Sequence, residues 1–157
     1  MPRFAATTTV PVEKSRAEIE SVLTKYGATH FGYSTEPGRA TIMFICRERK
    51  IRFSVALPLI TDKEFLYTEH RRHRRTGTEQ HKVWEQACRQ RWRALLLSIK
   101  AKLEAVEAKI SEFEEEFLPF IVNPENGQTV YESLRDQVSQ AYLGQQQGPL
   151  LLTGPKA

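Results

Sequence analysis

Between His70 and Lys102 the chain concentrates the residues that can do chemistry: three histidines, one cysteine and ten Lys or Arg, against only Glu79 and Glu85. The local charge is +8. Arginine and lysine at this density neutralise phosphates, and the guanidinium fork matches their oxygens. His70, His73 and His81 suggest a metal site, but no Cys or carboxylate completes a ligand spacing, so no metal is expected. Glu114, Glu115 and Glu116 form a second cluster in "FEEEF". Consecutive carboxylates splay around a helix, whereas a metal-dependent nuclease needs them to converge on one ion. No Walker loop, GxGxxG or Ser/His/Asp set is present. The expectation is a non-catalytic protein without a cofactor, with a small nuclease as the third-ranked reading.

The elements that must position these groups follow from periodicity. "SRAEIESVLTKYG" opens with Ser15 and Glu18 at capping-box spacing, places Ile19, Val22, Leu23 and Tyr26 on one face, and stops at Gly27. Three short runs then alternate or are β-branched: "ATHFGYS", "RATIMFICR" and "IRFSVALPL". Turn residues separate them, which predicts an antiparallel meander ending at Pro58. Residues 60–78 lack a period and read as a basic loop. From Trp84 apolar residues recur every three or four positions up to Phe117, predicting one long helix over about 79–117. After Pro119, "TVYESLRDQVSQAYLG" predicts a C-terminal helix capped by Thr129 and Glu132.

The fold class expected is therefore α+β: a short helix, a three-stranded antiparallel sheet, one long helix packed on it and a C-terminal helix. Residues 11–143 form one domain, flanked by a flexible arm over 1–10 and a flexible tail over 144–157. Within that tail "PLLL" hints at a docking segment, although the composition reads as a disordered end.

A helical wheel sorts the charges of the long helix. With Trp84 at the origin the apolar stripe spans about 100°, and Lys82, Arg89, Arg93 and Lys100 project at about 140–180°. They form a basic stripe away from the core, spaced seven, four and seven. Arg71, Arg72, Arg74 and Arg75 precede it, beside a helix N-terminus whose backbone donors suit phosphates. Salt pairs such as Glu85–Arg89 and Lys100–Glu104 would make part of the stripe an ordinary solvated face. Trp84 and Trp92 lie within the apolar stripe and read as core. Phe31, Tyr33 and Tyr67, on the sheet or its loops, are the candidates for base stacking. Residues 103–118 then carry six Glu and one Lys, a local charge of −5, so the element is dipolar and invites head-to-tail oligomers.

The bulk numbers set the class. The chain has 157 residues, 40% of them hydrophobic and 27% charged, with net charge +4, which suits one globular domain. Cys46 and Cys88 stand far apart and read as reduced buried thiols, in keeping with a cytoplasmic setting. No run reaches the length of a membrane span, and no signal-peptide core is seen at the N-terminus, so no membrane partner is expected.

The segments "VEKSRAEIESVLTKYGA", "FGYSTEPGRATIMF", "IRFSVALP" and "WEQACRQRWRALLLSIKAKLEAVEAKISEFEEEFLPFIV" together resemble a family of small proteins encoded by phages and prophages. The resemblance covers about residues 10–143 and is densest in the long helix. It implies a bacterial or phage cytoplasmic setting without an established chemistry. The order helix, three strands, long helix is also similar to the core of single-strand annealing proteins, at the level of fold alone. The leading expectation is a phage-type protein that binds nucleic acid, single-stranded DNA first, in recombination, replication or repair. A protein-binding effector that inhibits a host enzyme or defence system is the alternative.

Overall fold

The fold is described from a computed structural model over residues 5–70 and 73–144. Arg71 and Arg72 of the basic loop, and the tail from 145 onward with its "PLLL", lie outside the described residues. The architecture is α+β, a three-stranded antiparallel sheet in the order β1-β2-β3 covered on one face by helices. The first helix, α1, spans Val12–Lys25 and starts earlier than its capping-box pattern predicts. Pro11 takes the N-cap position, and the Ser15 N–H bonds back to the Pro11 carbonyl at 3.1 Å. Proline has its φ already fixed for this entry. Ser15 is thereby fully buried inside the first turn, and its hydroxyl finds no partner among the described residues. The other end matches expectation: Gly27 adopts φ +85°, and the N–H groups of Gly27 and Ala28 close on the carbonyls of Thr24 and Leu23.

Strands β1 (Thr29–Glu36), β2 (Arg39–Cys46) and β3 (Arg49–Ala56) follow as a meander. Tyr33 stands opposite Ile42 and Ile42 opposite Phe53, so these side chains share the covered face. Along β2 the alternation is strict, with Ala40, Ile42, Phe44 and Cys46 buried. The described part of the basic loop is more ordered than its composition suggests. It contains a one-turn helix, α2 (Lys63–Leu66), whose Phe65 is buried, and a bridge between Tyr67 and Arg74. The arm is likewise held over residues 5–10, where the Gln86 side-chain amide donates to the Thr8 carbonyl at 2.8 Å.

Helix α3 covers Gly77–Glu107 and buries Cys88, Trp92, Leu96, Ile99 and Leu103, the last four in one core with the sheet and α1. It stops ten residues short of the predicted end. Lys109 takes the left-handed conformation at φ 58°, and Lys109 and Ile110 donate to the carbonyls of Val106 and Ala105, a Schellman closure. Chain geometry explains the break. Eight-residue strands extend only about 27 Å, so a straight ten-turn helix would carry Phe113 and Phe117 past the sheet. The turn leaves Ile110 79% exposed and swings the chain back through α4 (Phe113–Phe117). Phe117 is fully buried, edge-on to Phe53, and Phe113 stacks on it at 4.6 Å. Lys102 fastens the return by donating to the backbone carbonyl and carboxylate of Glu116 at 3.2 and 3.3 Å.

A 3-10 turn over Leu118–Phe120 leads to Ile121, which pairs with Ile51 at the outer edge of β3. Helix α5 (Val130–Tyr142) opens on the predicted Thr129/Glu132 capping box and buries none of its residues. Arg52 ties it to the sheet, donating to Glu132 and, at 3.0 Å, to the Gly127 carbonyl. Among the described residues no helix is long and apolar enough to cross a membrane.

Candidate nucleic-acid interface

The cations of the basic tract divide by what they already hold. Arg75 is half-buried, and its Nη1 donates to the Glu64 carbonyl at 2.7 Å and to those of Phe65 and Tyr67. It closes the C-terminal end of α2, a structural use of a residue that reads in sequence as a phosphate ligand. Arg93 donates to Glu18 of α1 at 2.8 Å. The wheel places Arg93 clear of the core stripe but does not reveal that α1 packs along that flank. Arg89 bonds Glu85 at 3.2 Å, the expected i, i+4 pair. Lys102, at the other edge of the stripe, is engaged by Glu116.

Arg74, Lys82, Arg91 and Lys100 remain. All four are exposed, and none has an ion-pair partner among the described residues. Lys100 lacks the Glu104 contact that its spacing suggests. Lys82 and Lys100 are separated by five full turns, so they project in the same direction about 27 Å apart. Arg91 lies on the opposite flank of α3, outside the stripe of Lys82, Arg89, Arg93 and Lys100. Toward the helix C-terminus Glu104 and Glu107 are exposed and bound the basic surface.

The N-terminus of α3 is less open to an anion than its position suggests. Thr76 and Glu79 form a capping box: the Glu79 N–H donates to Thr76 Oγ1 at 3.3 Å, and the Thr76 N–H donates to the Glu79 carboxylate at 3.0 Å. The bond from the Thr76 backbone, then the one from its hydroxyl, hold the Glu79 carboxyl below its ordinary range. An acid thus already sits where a phosphate would approach.

Of the stacking candidates, Tyr67 is 38% exposed, and its backbone forms a bridge with that of Arg74. Phe31 and Tyr33 are committed to the helix-covered face. Phe31 lies 6.1 Å from Phe44, and Tyr33 donates its hydroxyl to Glu20 at 3.3 Å. Burial, and then the charge of Glu20, push the Tyr33 hydroxyl up to about 12. The Arg16 guanidinium lies 4.6 Å over the Tyr33 ring and 5.6 Å from that of Trp92. Arg16 is invisible to a search for basic runs, since its neighbours in sequence are Ser15 and Ala17. Trp92 is core, as expected, but Trp84 is only half-buried and donates Nε1 to the Pro58 carbonyl at 2.8 Å.

Among the described residues no group of three His, Cys, Asp or Glu is placed to hold a metal. Glu114 and Glu115 are exposed, whereas Glu116 turns inward to Ser111 and Lys102. Those bonds, Ser111 first, keep its carboxyl below the ordinary range. Cys46 and Cys88 are free and buried, and burial pushes both thiols up. The chain matches no protein-family model, no curated protein and no solved structure.

Proposed function

We propose that this chain is a non-catalytic, phage-type protein that binds single-stranded DNA in recombination, replication or repair, working in a bacterial cytoplasm. The observation that supports this reading is the set of exposed cations without an ion-pair partner among the described residues, Arg74, Lys82, Arg91 and Lys100, on one helix and the loop that feeds it. Cations left without acids on a folded surface are available to phosphates, and releasing the counterions of the nucleic acid favours binding. Arg71 and Arg72 extend the same tract in sequence. Copies associate along the strand, the basic part of one α3 meeting the acidic α3–α4 turn of the next.

The test is a titration of labelled single- and double-stranded DNA, with and without EDTA, against a variant in which Arg74, Lys82, Arg91 and Lys100 are all Ala. Binding weakens without sequence bias, and the slope of log K against log salt shrinks by about 3, or about 0.7 per lost contact on a single strand. Equal affinity and equal slope overturn the reading. Cleavage that EDTA abolishes favours the nuclease instead.

A protein-binding effector is the second reading, favoured by α5. Its Tyr131, Val138 and Tyr142, spaced seven and four, are 60%, 39% and 87% exposed along one face. A contiguous exposed apolar face of this kind suits a protein partner. Tyr131→Ser with Tyr142→Ser would abolish a biological effect of that kind while leaving DNA binding intact.

A further inference from the structure

A groove of about 740 Å³ opens between the start of α1, the β1–β2 turn, the segment after β3 and the N-terminal half of α3. Val12, Leu57, Leu59 and Trp84 wall it, and Trp92, only 3% exposed, lies at its base. This size and apolar character suit a small organic group rather than water alone. Two guanidiniums enter the lining, those of Arg16 and Arg89. Arg89 is held by Glu85, itself a lining residue. Arg16 has no carboxylate within ion-pair distance among the described residues and rests on the Tyr33 ring. The other acids of the groove, Glu13 and Glu36, are exposed. The groove therefore offers an aromatic wall, an apolar base and one positioned cation that is held by an aromatic ring rather than by an ion pair.

We infer that this groove takes one nucleotide of a bound single strand, the base against Trp84 and its phosphate on Arg16. The inference rests on the single-strand reading above and assigns it a base-recognition site, which the surface cations do not supply. The occupant follows from complementarity. A base presents a planar apolar face to an indole and carries its anion one sugar away, and base–aromatic stacking tolerates any sequence. An aliphatic acid would use Arg16 but leave the indole face without a matching plane. Lys82, one to two turns from Glu85 and Arg89 on α3, continues from the groove lip toward the basic loop, so the neighbouring phosphates of the strand meet the unpaired cations.

Trp92→Phe leaves Trp84 as the sole tryptophan of the two. In this variant a fluorescein-labelled oligo(dT) is titrated while anisotropy and Trp84 emission are read together. Both change with the same midpoint. Arg16→Gln raises that midpoint about tenfold, the loss of one charge-assisted contact, and Arg16→Lys recovers most of it. A strand carrying abasic sites keeps the salt dependence but no longer quenches Trp84. The wild-type chain provides an independent readout should Trp92→Phe unfold. A 5-iodouracil strand cross-links within the tryptic peptide Val83–Arg89, where Trp84 is the single aromatic residue. Anisotropy that rises with Trp84 unmoved, or equal quenching by the abasic strand, or an adduct confined to other peptides, overturns the groove site and leaves the DNA-binding reading standing. No rise in anisotropy with the wild-type chain overturns both.

Discussion

Arg93 on α3 and Glu18 on α1 meet at 2.8 Å, with side chains 25% and 31% exposed, and so join the two helices that cover the sheet. Reversal of one partner sets two carboxylates against each other. Arg93→Glu is expected to lower stability by about 1 kcal/mol, the upper part of the range for pairs of this exposure. Adding Glu18→Arg restores it. Denaturant melts of the two single variants and the double variant measure the coupling; a coupling of zero would remove the pair as a clasp.

Trp92 and Trp84 lie two helical turns apart on α3 but answer to substitution differently. Trp92→Ala opens a cavity beside Leu96 and the sheet and costs about 3–5 kcal/mol. Trp84→Phe keeps most of the ring and loses only the bond to the Pro58 carbonyl, about 1 kcal/mol. Thermal melts of the two variants check the difference.

The turn after α3 offers a stabilising substitution. Lys109 holds φ 58°, where a Cβ is disfavoured and glycine is not. Lys109→Gly is expected to raise stability by about 1 kcal/mol, despite the greater freedom it confers on the unfolded chain. Lys109→Val, β-branched at the same position, destabilises. Melting temperatures of the pair, moving in opposite directions, are the readout.

Glu132 and Tyr33 contribute to the pH limits from opposite ends. The Glu132 carboxyl lies below its ordinary value of 4.5, first through the Thr129 backbone N–H and then through Arg52. Its contribution is present above that value and is lost as the pH falls through the folded one. Acid should therefore release α5 from β3, and Glu132→Gln should flatten that acid limb. At the other end Tyr33, raised from 10.0 to about 12, keeps its contribution below pH 10 and loses it as the pH climbs toward about 12. Tyr33→Phe should blunt the alkaline loss. Far-UV circular dichroism across both windows tests each sign.

The meander is legible because its runs alternate or are β-branched and its connections are short; Ile42, Phe44, Ile51 and Phe53 are buried as their period demands, whereas β1 buries none of its residues and carries a register shift after Thr29. The core face of α3 was readable for the same reason. Its end was not. Val106, Ile110, Phe113 and Phe117 keep helical spacing straight through a chain reversal, and neither Gly nor Pro marks the turn, because Lys109 takes the position glycine usually fills. Helix α2 is a single turn and leaves too short a pattern to recognise. At the candidate interface, residue type showed where positive charge collects but not which cations are engaged. Arg75 bonds carbonyls eight to eleven residues away and Arg93 an acid 75 residues away. Tertiary contacts of that range leave no local signature, so residue type alone favours Arg75 and Arg93 over Arg91 and Arg16.

Helix α5 buries none of its residues, and Arg52 and the 3-10 turn over Leu118–Phe120 are its main attachments to the rest of the fold. Its backbone amide protons will therefore exchange with deuterated solvent through a local opening that leaves the sheet intact. Those of α3 from Trp92 to Leu103, packed into the core, wait for global unfolding. The molecule thus has two clocks, and a ligand that closes over α5 would be recognised by slowing the faster one alone.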